Sequence, residues 1–212
     1  MLKHNIINLL GKKFNFTSYL EISSTSTGYA YNKIDSSIFI TKSAIYYLVD
    51  IKESRPDINI EANTYEYHHN RISNDKTKYD IVFVDPWHTY EQTMFDLKTA
   101  LKFVSAKGII VVHDCCPYSE DLVGPYKWGP WCGQTYEAFI DFRYKHRELE
   151  SFCLWADYGL GILSLSPKFN IKQEFADYDK ERVKRFEYFN KNKKELLNLV
   201  EADEFIKIIE EN

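Results

Sequence analysis

The sequence predicts an α/β fold: a mostly parallel, twisted sheet with helices on both faces and a late antiparallel strand. Three observations predict it. Ile81, Val82, Phe83 and Val84 form one continuous β-branched and aromatic run, and Ile109, Ile110, Val111 and Val112 form a second. Runs without polar alternation suit parallel strands covered on both faces. Between them Met94, Leu97, Leu101 and Val104 recur at helical spacing, from a start near Tyr90 to a stop near Gly108. The order is therefore strand, helix, strand, and a right-handed crossover makes the strands parallel with their carboxyl ends on one rim.

From the amino end, Ile6, Leu9 and Leu10 space a short amphipathic helix. FTSYLEI, residues 16–22, reads as the first strand, and the loop SSTSTG, residues 23–28, follows it. Small hydroxyl residues ending in Gly28 let backbone approach a ligand, and a helix starting there would aim its amides at it; an N-cap cluster has the same composition. AIYYLVD, residues 44–50, is the next strand. Its Asp50 stands where nucleotide-binding α/β folds place an acid on a ribose, or else begins an exposed turn. DINIEA, residues 57–62, offers a further strand, with Glu61 and Asn63 at the same rim.

The two apolar runs then end on chemistry. The first delivers Asp85, Trp87 and His88, and the second His113 and Asp114, at the strand ends where open parallel sheets bind ligands. Beyond Pro117, Gly and Pro lie among Tyr118, Tyr126, Trp128, Trp131 and Tyr136, which reads as a loop entering a helix at Gly133. Such aromatics suit stacking on a sugar face and equally suit a satellite core that pins the loop. WADYGLGILSL, residues 155–165, is the late strand, a hairpin or edge partner of the segment around Phe152, with Gly159 and Gly161 permitting close packing or a bulge. From Asp177 onward Val183, Phe186, Phe189, Leu196, Leu197, Val200, Phe205, Ile206 and Ile209 predict helices, and the KNKK run among them reads as a solvated face. Residues 1–168 form the expected domain and 169–212 its helical extension.

Composition narrows the function classes. A net charge of -4 over 212 residues argues against a general nucleic-acid binder, which needs clustered Lys and Arg. No run reaches the roughly twenty apolar residues of a membrane span. The start MLKHNIINLLGKKF lacks a signal-peptide core, so a soluble, cytoplasmic protein is expected. Cys115, Cys116, Cys132 and Cys153 lack the spacing of a zinc site and are too few for a disulfide scaffold, which predicts reduced thiols.

Singly, Asp85 before Pro86 reads as a turn residue, His88 as a cap for the helix at Tyr90, and Asp114 as a hydrogen-bond acceptor for its loop. Their convergence on one rim points to chemistry. The ordered set of LEI with its small-residue loop, VD, YDIVFVDPWHTYEQ with Asp96, and KGIIVVHDCCP resembles the class I S-adenosylmethionine-dependent methyltransferases. It is most similar to sugar and macrolide O-methyltransferases, from Tyr19 to Leu163.

That resemblance implies a Rossmann-like fold and methyl transfer from S-adenosylmethionine to a hydroxyl, on a sugar or glycan. It implies that Glu21, Ser23 and the loop to Gly28 lie against the methionine part of the cofactor, that Asp50 holds its ribose, and that Asp85 faces the sulfonium. Asp85 and Asp114 match acids that bind Mg²⁺ in metal-using relatives. His88 is the candidate base, with Asp85 and Asp114 as its catalytic companions, and Trp87, His113 and Trp131 are the candidates for contact with the acceptor. A histidine titrates in the range such a base needs. The implied partners are a small-molecule or glycan acceptor, with no nucleic acid and no membrane, and the tail helices suit a monomer or a homo-oligomer. Where the family has glycine directly after LEI this chain has Ser23, which supports a second reading: a non-catalytic Rossmann-like module that binds a glycan or a protein. A nicotinamide oxidoreductase is disfavoured because no G-x-G-x-x-G follows the first strand, and a hydrolase because no G-x-S-x-G occurs.

Overall fold

A computed structural model describes residues 1–24, 30–46, 76–175 and 177–211. In chain order its elements are α1 (Lys3–Phe14), β1 (Ser18–Ser23), β2 (Thr41–Tyr46), β3 (Tyr79–Asp85), α2 (Tyr90–Phe103), β4 (Val104–Val112), α3 (Thr135–Lys145), β5 (Glu150–Trp155), β6 (Leu160–Ser164), α4 (Lys180–Val183), α5 (Phe186–Leu197), β7 (Leu199–Glu201) and α6 (Ala202–Glu211). Among the described residues seven strands form one sheet, in the order β2-β1-β3-β4-β6-β5-β7. β1 to β4 pair in parallel, β6 is antiparallel to both β4 and β5, and β7 runs parallel to β5.

The unalternated strands are buried on both faces, as their composition requires. Val82 and Val84 of β3 and Ile110 and Val112 of β4 join a core with Met94, Leu97 and Phe103 of α2 and Phe139 and Phe142 of α3. Their neighbours Ile81, Phe83, Ile109 and Val111 face a second core with Ile6, Ile7 and Leu10 of α1 and Phe205 and Ile209 of α6. Each such side chain, removed from water, contributes about 1.5–3 kcal/mol before entropy is counted. Thr89 caps α2 by accepting from the backbone N–H of Gln92 at 3.4 Å, so the cap is Thr89 rather than His88.

Several boundaries differ from the sequence reading, each for a local reason. α2 stops at Phe103 rather than near Gly108. Val104 turns extended with ψ 141°, buries its β-branched side chain and pairs with Tyr79, after which the register shifts and the strand rejoins β3 at Ile109. β2 begins at Thr41, three residues before the predicted start at Ala44, because the ladder with β1 opens at Ser18 opposite Thr41. Trp155 ends β5 rather than opening β6, the turn falling between them. In the tail Val200 belongs to a short strand: Asn198 stops α5 in the left-handed region at φ 50°, and Leu199–Glu201 then pairs with β5. Gly161 permits β6 to sit under α3, since a Cβ there would lie 2.4 Å from the Phe139 ring. The predicted strand at 57–62, with Glu61 and Asn63, lies outside the described residues.

Arg143 of α3 has no exposed surface. Its Nε donates to Ser151 O at 3.3 Å and Nη1 to Leu196 O at 3.2 Å, Nη2 donates to Glu174 O, and the guanidinium lies 4.3 Å from the Phe175 ring centroid. One cation thus ties Glu174 and Leu196 to Ser151 of β5. Among the described residues no helix is long and apolar enough to cross a membrane.

Candidate functional site

The parallel register carries polar residues to one edge. Ser23 at the end of β1 lies opposite Asp85 at the end of β3, the Ser24 N–H donates to Asp85 O at 3.1 Å, and the His113 N–H continues the β3–β4 ladder onto Val84 O at 2.9 Å. Asp114 then adopts φ 62°, a left-handed conformation that Asp tolerates better than most residues. The kink holds the Asp114 carboxylate beside both histidines. Asp157, Tyr158 and Gly159, also left-handed at φ 47°, 63° and 92°, fold the β5–β6 turn against the same edge.

The side chains there form one ionic network. His88 Nε2 lies 3.0 Å from Asp114 Oδ2 and 3.9 Å from Asp85 Oδ1. His113 Nδ1 lies 3.0 Å from Asp114 Oδ2 and 3.4 Å from Asp85 Oδ1, and its Nε2 is 3.7 Å from Asp157 Oδ1. Lys3, from the first turn of α1, completes it. Its ammonium is 2.9 Å from Asp85 Oδ2 and 3.3 Å from His113 Nδ1, while its backbone N–H donates to Asp157 Oδ2 at 2.7 Å. The Cys132 thiol donates to Asp114 Oδ1 at 3.4 Å.

Burial disfavours every charge in this network, and mutual pairing overrides it. His88 is pushed up to about 9, burial working against the imidazolium and Asp114 and Asp85 prevailing. His113 rises well above the usual histidine range against the same burial, through Asp114 and Asp85. Asp85, against burial, is held well below the usual carboxylate range by His113 and Lys3, and Asp114 is lowered likewise by His113 and His88. Near neutral pH three cations (Lys3, His88, His113) therefore face three carboxylates (Asp85, Asp114, Asp157). The Nε2–Asp114 contact fixes which nitrogen of His88 is bound, and Nδ1 is buried with no hydrogen-bond partner among the described residues. Deeper in β1, Glu21 accepts from Tyr19 OH at 2.7 Å, and burial raises its carboxyl to about 7.

An aromatic wall stands beside His88. Trp87 lies 4.9 Å from Tyr126 and 5.0 Å from Trp131, and Trp131 lies 5.0 Å from the His88 ring, all between centroids. The Trp131 N–H donates to Gly124 O at 2.9 Å, which pins the loop. Gly133 makes the approach possible: at φ 54°, a Cβ there would lie 2.1 Å from His88 O. Trp128 stands 72% exposed at the loop's outer edge.

Solved structures of like shape identify the fold. An O-methyltransferase from Bacillus cereus, in complex with SAH, superposes with a TM-score of 0.53 at 13% identity, covering 76% of this chain and 80% of its own. The SAH-bound methyltransferase PaMTH1 of Podospora anserina gives 0.51 at 19% identity, covering 78% of each chain. The fold is the Rossmann-like methyltransferase fold. Independently, a family model described as a methyltransferase domain matches residues 50–115, the stretch that runs through β3 and α2 to the end of β4. No curated protein sequence matches the chain. The resemblance read from the motifs thus holds for the fold and for this central segment.

Within the methyltransferase fold the predicted residues divide into three groups. Asp85, His88, His113 and Asp114 converge, with Trp87 and Trp131 against them. Glu21 and Ser23 lie on β1, Ser23 directly opposite Asp85. Gly28 and Asp50 lie outside the described residues. Sequence reasoning missed Lys3, Asp157 and Cys132, which reach the rim from three distant elements and carry no local motif; the D-Y-G turn at 157–159 was the one available hint. The ligand atoms of Asp85, His113 and Asp114 lie within 4.8 Å of one another. Two hard carboxylates at one sheet edge fit a divalent cation such as Mg²⁺, and Lys3 marks the place as one that accepts positive charge.

Proposed function

We propose that this chain is an S-adenosylmethionine-dependent O-methyltransferase whose acceptor is a hydroxyl of a sugar or glycan. The observation that carries the reading is the closure of Asp85, His88, His113 and Asp114 on the carboxyl edge of β3 and β4, inside a methyltransferase fold. S-adenosylmethionine supplies the methyl group as an electrophilic sulfonium. Ser23, opposite Asp85, and Glu21, two residues earlier on the first strand, are the described residues that would hold its methionine end. The ionised form of Glu21, which grows as pH rises through about 7, suits that end's ammonium.

A hydroxyl must lose its proton as it attacks, and His88 is the residue that takes it. With Asp114 holding Nε2, the unpartnered Nδ1 is the nitrogen that accepts, an orientation logic shared with other Asp–His pairs. A pKa of about 9 keeps His88 protonated at neutral pH, so its basic form grows with pH. Asp85 and Asp114 would hold Mg²⁺, which would polarise the acceptor oxygen. Trp87, with Tyr126 and Trp131 behind it, offers an apolar wall of the kind that packs on a sugar face and shields His88 from water, and His113 on the same rim would be a further contact for the acceptor.

Calorimetric titration with S-adenosylmethionine and S-adenosylhomocysteine, with and without Mg²⁺, tests the reading. Saturable binding near one per chain is expected. Absence of binding in both conditions would sink it and leave the second reading, a non-catalytic module that binds a glycan or protein. Two observations favour that alternative: Ser23 stands where the family has glycine, and the rim charges already satisfy one another.

A further inference from the structure

Lys3 stands out at the rim, since it is a fixed cation delivered by α1 rather than by the strands that carry the acids. Its ammonium lies 2.9 Å from Asp85 Oδ2 and 3.3 Å from His113 Nδ1, and these two residues with Asp114 are the ones whose ligand atoms fall within 4.8 Å of one another. The side chain is only 13% exposed, so the placement is a built one. α1 is anchored independently of it. Ile6, Ile7 and Leu10 are fully buried, and the Lys3 backbone N–H donates to Asp157 Oδ2 at 2.7 Å. The four-carbon stem of a lysine can swing its ammonium out while such a backbone stays in place. A metal ion at Asp85 would meet a like charge at van der Waals range unless the ammonium moved.

We propose that Lys3 and a divalent cation are mutually exclusive occupants of the place beside Asp85 and His113, so that a cation tethered to α1 sets the site's affinity for metal. The proposal rests on the reading of Asp85 and Asp114 as metal-holding acids. It makes Lys3 the residue that decides whether the rim works with a metal ion or with the chain's own ammonium. Both states keep Asp85 paired with a cation.

The test is Mn²⁺ binding, read by electron paramagnetic resonance, to the wild type, Lys3→Met and Lys3→Arg. Lys3→Met is expected to bind roughly tenfold tighter or more, the scale on which one charge within about 4–6 Å shifts an ionic equilibrium. Lys3→Arg, which keeps the charge, should show no gain. A second measurement needs no variant: acetylation of Lys3 by acetic anhydride, followed by mass spectrometry, should accelerate when the wild type is saturated with Mn²⁺. This arm decides the matter if Lys3→Met does not fold. Equal Mn²⁺ affinity in wild type and Lys3→Met, or Mn²⁺ binding that leaves Lys3 acetylation unchanged, overturns the proposal. Failure of both proteins to bind Mn²⁺ overturns it together with the metal reading, and titration of the same samples with S-adenosylhomocysteine shows separately whether the methyltransferase reading survives.

Discussion

Arg143 and the rim network both keep full charges out of water, and they do so in opposite ways. Arg143 is neutralised by dipoles and a ring face: three backbone carbonyls from Ser151, Glu174 and Leu196, and the Phe175 side chain. The rim is neutralised by ions, with Lys3, His88 and His113 set among Asp85, Asp114 and Asp157. Carbonyls cannot be protonated or displaced at any accessible pH, so the Arg143 site has a single state. Every partner at the rim can gain or lose a proton or exchange for another cation, so the rim has several. Fixed dipoles suit a structural clamp, and exchangeable ions suit chemistry. A buried ion network is weak evidence of stability in itself, because the desolvation of each charge offsets much of the attraction.

The largest contrast comes from removing one charge at each place. His88→Ala should lower turnover about 10²–10⁴-fold, the usual worth of a positioned base, while S-adenosylhomocysteine binding by calorimetry stays close to wild type. Turnover that does not change would remove His88 from the mechanism. Arg143→Met should do the reverse. It removes the Arg143 donor from three carbonyls, of which Ser151 O keeps Asn198 Nδ2, and should cost on the order of 3 kcal/mol of unfolding free energy by denaturant titration, while the folded fraction keeps its cofactor affinity.

The pH response sharpens the comparison. Because His88 acts in its neutral form and is held at about 9, wild-type turnover should climb through the neutral range and level off above about 9. Asp114 is the chief source of that elevation, so Asp114→Asn should move the rising limb to lower pH by about one unit or more, with lower turnover at the plateau. A limb that stays in place would mean that another group governs the profile.

The smallest effect is on stability. A histidine held at about 9 when folded and near 6.5 when unfolded contributes stability that is fully present below about 6.5 and is lost as pH rises through about 9. The unfolding free energy should therefore fall across that window, by about 1–3 kcal/mol. His88→Gln should flatten part of the slope, as measured by denaturant titration at several pH values, and Arg143→Met should leave it.

What the sequence determined by itself was whatever periodicity and local chemistry could write. The apolar runs at 81–84 and 109–112, with Met94, Leu97 and Leu101 between them, required parallel strands flanking a helix, and that required Asp85, His88, His113 and Asp114 to share an edge. The tertiary structure alone decided which further groups meet them there. Lys3 lies 82 residues from Asp85, and Asp157 lies 154 from Lys3. No short-range pattern records such pairings, because they follow from how α1 and the β5–β6 turn pack together at the sheet edge. The same holds for Val104 and Val200. Their spacing fits a helix, and burial against neighbouring strands placed them in the sheet. The pairing of His88 with Asp114, and hence its elevated pKa, belongs to that second class. A side chain's type sets its ordinary pKa, but only the distance to its neighbours and the water excluded around it set the pKa that governs its chemistry.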